Sequence, residues 1–355
     1  MTNLLNIKPK SGNQWDLVSL GEVLLRFDPG DDRVHTARSF RVWEGGGEYN
    51  VARNLAKSFR LDTAIVTALA DNQIGRLVED LVRQGSVDVS QIVWKPTDGI
   101  SRTARNGIYF MERGFGTRPP TGCSDRGNTA VSQLTLGAID WQAIFSTHGT
   151  RWFHTGGIFA GLSDTTADVA REAMAAARAS GSIVSYDLNY RDSLWSGRGG
   201  RDAANELNRE LLKHADVVFG IEGFDAGFAS FSEDSFRRSA NEMISRNTSL
   251  KLLATTLRDV ISASTHSLGG ICFSDDQVVR GKDFQGVEVL DRVGSGDAFA
   301  AGLIYGLLSG ETPQHSIDLA TASSALSLSS PGDGLSASLS EIASLSSNTA
   351  KSTIR

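Results

Sequence analysis

The sequence predicts an α/β protein in which helices cover both faces of a mostly parallel sheet, with a small β-sheet lid added. Buried strand patterns alternate with amphipathic helix patterns along most of the chain. Two early extended segments, 22–45 and 98–118, interrupt that alternation, and 355 residues suffice for one large domain with an insertion. Open α/β folds bind ligands at the carboxyl edge of the sheet, so we expect the two segments to cover that edge.

The first part of the chain supplies the start of the sheet and the lid. Apolar and β-branched runs predict strands at 16–20 and 62–69, and extended segments at 23–27 and 39–43. Helical spacing of apolar residues predicts helices at 48–59 and 74–84. Between 98 and 118 the pattern changes to alternation with glycine, which predicts a β-hairpin with its clearest strand at 107–111.

The rest of the chain returns to the α/β rhythm. Strands are predicted at 151–155, 183–188, 216–219 and 252–256, with shorter, partly antiparallel ones at 271–273, 277–279 and 287–290. Helices are predicted at 165–179, 201–214, 295–308 and 313–328. We therefore expect one domain over 16–330, followed by a serine-rich segment and tail over 331–355.

Composition excludes several functional classes. The net charge is −6 and there is no basic run, so we expect no nucleic-acid partner. No stretch approaches the roughly 18 apolar residues of a membrane span, and the N-terminus lacks the apolar core of a signal peptide. Cys123 and Cys272 lie far apart without a metal-binding pattern. These features predict a cytoplasmic protein without disulfides or a zinc site.

Residues 294–297 carry the clearest chemistry in the sequence. Gly294, Ser295, Gly296 and Asp297 lie between a predicted strand and an apolar helix. Glycines let backbone N–H groups approach a ligand, and the helix N-terminus adds partial positive charge, so the turn predicts an anion site. The helix N-terminus is also expected to hold the Asp297 carboxylate ionised. This combination suits phosphoryl transfer, in which the carboxylate accepts a proton from the attacking hydroxyl.

Two other interpretations of the same turn remain open at this point. Asp297 could simply cap the helix, with the glycines serving close packing. Gly294 and Gly296 also begin a dinucleotide fingerprint, but Phe299 stands in the third glycine's place. No GxxxxGK[ST] pattern occurs, which excludes a Walker-type ATPase.

Two segments together resemble the signatures of ribokinase/PfkB carbohydrate kinases. The stretch DRVGSGDAFAAG at 291–302 is similar to the second signature, and GGGEYNVA at 45–52 is similar to the first. The resemblance implies a ribokinase-like three-layer α/β/α sandwich with a β-sheet lid, ATP and Mg²⁺ as cofactors, and a homodimer or higher homo-oligomer assembled through the lid. It implies that Asp297 is the catalytic base beside the turn 294–296, and that Gly46, Gly47 and Asn50 bind the sugar.

Within that family the sequence is most similar to 2-keto-3-deoxygluconate kinases. The stretch DLNYRDSLW at 187–195 matches their D-x-N-x-R-x-x-L-W segment. The resemblance implies that Arg191, Arg126 and Tyr109 bind the sugar acid and that Asn189 lies near the nucleotide phosphates. The planar guanidinium group can donate two parallel hydrogen bonds to a carboxylate, so two arginines favour an acidic substrate over a neutral sugar. Either arginine alone is equally compatible with a structural ion pair.

Two positions depart from the family pattern. Ile221 and Phe224 occupy the usual Asn-x-x-Glu motif, which helps to organise Mg²⁺ and phosphate, and this leaves Glu222 as a weak metal candidate. Arg258 stands in a loop that usually contains glycine, where it could reach a nucleotide phosphate.

The sequence predicts ATP-dependent phosphorylation of the terminal hydroxyl of 2-keto-3-deoxygluconate. Three alternatives remain: another acceptor such as fructose, ribose, a nucleoside or 5-dehydro-2-deoxygluconate; a non-catalytic sugar-acid or nucleotide sensor; and a dehydrogenase. His154 lies near the end of the predicted strand 151–155, and we expect a structural role for it because no nucleophile accompanies it.

Overall fold

The computed structural model describes residues 5–224 and 227–347. Its strands, numbered along the chain, are β1 (Trp15–Leu20), β2 (Leu24–Asp28), β3 (Arg41–Gly45), β4 (Thr63–Ala70), β5 (Ile92–Lys95), β6 (Ile108–Glu112), β7 (Thr121–Asp125), β8 (Thr150–Gly156), β9 (Ile183–Asp187), β10 (Val217–Phe219), β11 (Leu252–Ser262), β12 (Thr265–Ser274), β13 (Gln277–Arg280) and β14 (Phe284–Glu288). Over these residues a ten-stranded sheet has the order β13-β12-β11-β10-β9-β8-β1-β4-β5, with β14 paired to β12.

That sheet is parallel from β5 to β11, and β12, β13 and β14 join it antiparallel. The helices are α1 (Gly47–Phe59), α2 (Gln73–Gln84), α3 (Gly157–Ala160), α4 (Asp164–Ala179), α5 (Asp192–Trp195), α6 (Gly200–Leu212), α7 (Glu233–Arg246), α8 (Ser295–Leu308), α9 (Pro313–Ser327) and α10 (Leu339–Ser346).

Hydrophobic cores lie on both faces of the sheet. Successive side chains of a strand point to opposite faces, and Trp152 and Phe153 of β8 accordingly belong to different apolar clusters. Leu17 and Val18 of β1 divide in the same way. Helices α1, α8 and α9 cover one face, while α4, α6 and α7 cover the other. The predicted three-layer α/β/α sandwich is therefore confirmed.

A second sheet forms the lid, with four strands in the order β3-β2-β6-β7. Both predicted lid segments contribute strands to it. The second segment was predicted at 98–118, but its strands lie later in the chain, with β6 beginning at Ile108 and β7 at Thr121. All five residues of β7 are exposed, so its sequence lacks the alternation of apolar residues that marked β6. The tip of the β11–β12 hairpin contacts the lid, with the Ala263 N–H donating to the Gly116 carbonyl oxygen at 2.9 Å.

The domain continues past the predicted boundary at 330. Leu335 is 1% exposed and Ile342 of α10 is fully buried in the core that α8 and α9 form. The sequence did not reveal this part of the domain, because serines and small residues dominate it and its few apolar residues form no periodic pattern. Residues 348–355 of the predicted tail lie outside the described part of the chain. Over 5–224 and 227–347, no helix has the length and apolar character that crossing a membrane requires.

Candidate active site

A cleft of about 850 Å³ lies between the lid and the carboxyl edge of the large sheet. Its walls include lid residues such as Leu24 and Met111 and residues at strand ends such as Asp187 and Phe219. All the predicted site residues of the binding and catalytic sets line it, namely Gly46, Gly47, Asn50, Tyr109, Arg126, Asn189, Arg191, Arg258, Gly294, Ser295, Gly296 and Asp297. The fold thus brings together residues that are distant in sequence, while their individual roles stay predictions.

The turn at 294–296 has the geometry of an anion site. Gly294 has φ 80°, and a Cβ there would lie 1.9 Å from the Asp333 carbonyl oxygen, so that no other residue fits. Helix α8 begins directly afterwards at Ser295, and the first intrahelical bond joins the Ala298 N–H to the Gly294 carbonyl at 2.8 Å. The preceding N–H groups, those of Ser295, Gly296 and Asp297, have no intrahelical partner, and their residues line the cleft.

The glycine segment before α1 meets this turn across the cleft. Gly46 has φ 149°, and a Cβ there would lie 2.0 Å from the Glu22 carbonyl oxygen. Asn50, one turn further along α1, donates from Nδ2 to Oδ2 of Asp297 at 2.7 Å. Asp297 accepts this bond from another helix, and the N-cap of α8 has no side-chain hydrogen bond. The capping interpretation of Asp297 therefore finds no support in its contacts.

The electrostatics of Asp297 differ from the sequence prediction. Desolvation raises the pKa of its carboxyl to about 8, and the negative charges of Asp187, Asp333 and Glu48 act in the same direction. The hydrogen bond from Asn50 opposes the shift by favouring the ionised form. Burial and the charges of three other carboxyls thus act against the expectation that the helix N-terminus holds Asp297 ionised in the free protein.

Two of those acids belong to the motifs but were not recognised as site residues. Glu48 is 3% exposed, and desolvation followed by the charge of Asp187 raises its pKa to about 7. Burial likewise raises the pKa of Asp187 to about 6, against the opposing charge of Arg191. Each lies within a motif segment, at 45–52 for Glu48 and at 187–195 for Asp187. That location was the one signal in the sequence that could have identified them.

A buried ionic network connects the lid to the turn at 294. Arg26 of β2 is fully buried and donates to Oδ2 of Asp291 at 2.5 Å and to Oδ1 of Asp333 at 2.8 Å. The Tyr109 hydroxyl of β6 donates to the other oxygen of Asp333. The network fixes Tyr109 in the cleft wall and fixes the segment against which Gly294 packs. Sequence reasoning missed Arg26 and Asp333, since neither lies in a recognisable pattern.

The two predicted carboxylate-binding arginines have different environments. Arg126 forms an ion pair with Glu22, with 2.6 Å between Nη2 and Oε2, and Glu22 is 1% exposed. Arg191 is exposed to the cleft and pairs with no carboxylate of the described residues. The structural ion pair considered for both arginines is thus present for Arg126 alone, and Arg191 has the freer charge.

The predicted metal candidate lies away from the cleft. Glu222 accepts two hydrogen bonds from Arg209 of α6 and is absent from the cleft wall. Its neighbour Ile221 is buried in the hydrophobic core and offers no ligand atom to a metal. Among the residues described, no group of three or more His, Cys, Asp or Glu side chains is arranged to hold a metal ion. The prediction for Glu222 is therefore wrong, and Asp225 beside it lies outside the described residues.

His154 of β8 has a structural environment. It is 1% exposed, its Nδ1 lies 2.8 Å from the Ser185 hydroxyl oxygen, and burial lowers its pKa to about 3. A neutral imidazole in the core without access to the cleft agrees with the role that the sequence predicted.

Comparison with known proteins agrees with this fold and cleft. The sequence model described as "pfkB family carbohydrate kinase" matches residues 15–339. A 2-dehydro-3-deoxygalactonokinase of Haloferax volcanii is 27% identical over 90% of this chain and 92% of its own, and a 5-dehydro-2-deoxygluconokinase of Clostridium perfringens is 26% identical over 89% and 88%. The crystal structure of a 2-dehydro-3-deoxygluconokinase of Thermotoga maritima superimposes with a TM-score of 0.83 and 31% identity, covering 93% of this chain and 99% of that one.

Proposed function

This chain belongs to the pfkB family of carbohydrate kinases, and from that premise we propose that it transfers a phosphoryl group from ATP to the terminal hydroxyl of 2-keto-3-deoxygluconate. The observation that carries the proposal is the 2.7 Å hydrogen bond between Asn50 and Asp297. It brings the glycine-asparagine segment at 45–50 and the anion turn at 294–296 together at one point of the cleft.

Each step of the transfer has a group in the cleft suited to it. Asp297, once ionised, accepts the proton of the attacking hydroxyl, which Asn50 and the backbone at Gly46 and Gly47 help to position. The free N–H groups at 295–297 face the transferring phosphoryl group and stabilise its negative charge. The raised pKa of Asp297 matches the task, since a base whose pKa lies near the working pH is efficient.

The acceptor is proposed to be a sugar acid because of Arg191. Its guanidinium is exposed to the cleft without a carboxylate partner among the described residues, and it can bind a carboxylate in a two-pronged arrangement. Arg126 and Tyr109 complete the wall on the lid side, each already held by an acid of the protein. The remaining N–H groups of Arg126 and the accepting oxygen of Tyr109 suit the keto group and the hydroxyls of the sugar.

The family implies ATP as the phosphoryl donor, and the anion turn fits its phosphates. The residues expected to hold Mg²⁺ do not fit a metal ion. Glu222 pairs with Arg209, and no group of three or more possible metal ligands forms among the described residues. We therefore assign no step to a metal held by the protein. Assembly through the lid also remains a proposal.

An acceptor panel tests the proposed function. ATP and Mg²⁺ are supplied with 2-keto-3-deoxygluconate, its galactonate epimer, 5-dehydro-2-deoxygluconate, fructose and ribose, and ADP release is measured. The proposal predicts the highest kcat/KM for 2-keto-3-deoxygluconate and little turnover of the neutral sugars. The names of the two curated relatives make the other two acids the alternatives, and a clear preference for either would replace the proposed acceptor. A preference for fructose or ribose would refute the role of Arg191.

A further inference from the structure

Three arginines gather at the end of the cleft beside the anion turn. Arg292 precedes the turn by two residues, Arg258 extends from β11, and Arg191 follows β9. All three line the cleft and are exposed to it. None of them forms an ion pair with a carboxylate in the part of the chain that the structure describes, whereas Arg126 in the same cleft wall pairs with Glu22.

The positive charges of this cluster act on one another. Desolvation lowers the pKa of Arg258, and the charges of Arg292 and Arg191 lower it further. Burial lowers the pKa of the adjacent His266 to about 4, and Arg258 and Arg292 again contribute. His266 is 1% exposed and its Nδ1 has no partner among the described residues, and the neutral form that its lowered pKa favours adds no charge to the cluster. Like charges held together without counterions favour an anionic ligand.

The position of the cluster identifies the anion. Phosphoryl transfer needs positive charge on the donor's phosphates, and the backbone N–H groups at 295–297 supply only partial charges. A protein-held metal usually adds the rest, but the segment that would organise it carries Ile221 and Phe224, and Glu222 faces Arg209. Arg258 and Arg292 line the same cleft as the turn at 294–296 and carry full positive charges without an ion-pair partner among the described residues.

We infer that Arg258 and Arg292 form a phosphate clamp that binds the β- and γ-phosphates of the nucleotide in place of a metal site built from the protein. The inference rests on the proposed function for the identity of the nucleotide, but it concerns binding and not turnover. Guanidinium groups suit the role, because each presents parallel N–H donors to two phosphate oxygens. The clamp leaves Arg191 available for the carboxylate of the acceptor.

Binding of ATP, AMP and tripolyphosphate to the full chain tests the clamp, measured by calorimetry without any sugar, once with EDTA and once with Mg²⁺. The wild type is expected to bind ATP and tripolyphosphate in EDTA. Arg258→Gln and Arg292→Gln should each weaken ATP and tripolyphosphate about tenfold or more and change AMP less than about twofold, since AMP lacks the clamped phosphates. Arg238→Gln, which removes an exposed arginine of α7 outside the cleft, is the matched control and should bind all three ligands as the wild type does.

Several results would overturn the clamp. Unchanged ATP binding in both variants would do so, as would an equal loss for AMP and ATP, or a wild type that binds ATP only with Mg²⁺. If a glutamine variant does not fold, Arg258→Lys and Arg292→Lys replace it; they retain charge without the planar fork, and ATP affinity equal to wild type would again contradict the inference. A chain that binds ATP through the clamp and phosphorylates no sugar acid would refute the proposed acceptor and leave the clamp intact.

Discussion

Replacing Asn50 by alanine tests the electrostatic description of the proposed base. The Asp297 carboxyl has a pKa of about 8, and the 2.7 Å hydrogen bond from Asn50 opposes the rise. With that pKa, about one tenth of the molecules are expected to carry an ionised Asp297 at pH 7. A hydrogen bond to a charged group contributes about 1.5 kcal/mol, so its removal should raise the pKa of Asp297 by about one further unit.

The assay is the pH dependence of kcat/KM between about pH 6 and 10, with both substrates far below saturation so that it reports the free enzyme. The wild type is expected to rise about tenfold per pH unit up to an apparent pKa near 8, and Asn50→Ala to reach its plateau about one unit later. Lys57→Ala, an exposed position of the same helix, should keep the wild-type profile. An apparent pKa below about 6 in the wild type, or no upward shift in Asn50→Ala, would refute the reasoning.

Unfolding measurements test the same pKa without turnover. A carboxyl whose folded pKa lies above its unfolded value of 3.8 lowers stability as pH rises through the interval between the two values. Asp297→Asn removes that penalty, so its advantage over the wild type should grow by about 3.5 kcal/mol between pH 5 and pH 8 and then level off. A difference in unfolding free energy that does not change with pH would contradict the raised pKa.

Three further substitutions test the surroundings of the cleft. Arg26→Met leaves two buried carboxylates without their cation and should lower the free energy of unfolding by about 3–5 kcal/mol in urea denaturation at pH 7.5. Arg126→Gln strands the buried Glu22 and should cost about 2 kcal/mol in the same measurement, and unchanged stability would show that the ion pair is not formed. Arg191→Gln should leave stability within about 0.5 kcal/mol and raise KM for 2-keto-3-deoxygluconate about tenfold or more, with little effect on KM for ATP. Equal effects on both KM values would contradict its assignment to the acceptor.

Much of the fold could be predicted because its elements follow simple periodicities. The helix α8 is a largely apolar run, β1 is buried along its whole length, and α1 has Val51, Leu55 and Phe59 at helical spacing. The strand β7 escaped prediction because all its residues are exposed and its sequence, TGCSD, lacks β-branched apolar residues.

The candidate site was predictable only where chemistry is carried by a local motif. Asp297 and Asn50 belong to such motifs. They lie 247 residues apart in the sequence, and the fold brings them into hydrogen-bond contact in the cleft. Arg26 and Asp333 gave no signal, because a buried ion pair depends on two distant positions whose sequences are ordinary. The pKa of Asp297 could not be inferred either, since it depends on acids that three other segments bring to the cleft.

Turnover by Asp297→Asn is the most direct test of the account. The assay measures ADP release from saturating ATP, Mg²⁺ and 2-keto-3-deoxygluconate at pH 8.5, beside equilibrium binding of the sugar acid to the same variant. The account predicts sugar binding within a few-fold of the wild type and a loss in kcat of about 10³-fold, since general bases contribute about 10² to 10⁴. Turnover near the wild-type value in that variant would contradict the role of Asp297 and with it the proposed mechanism.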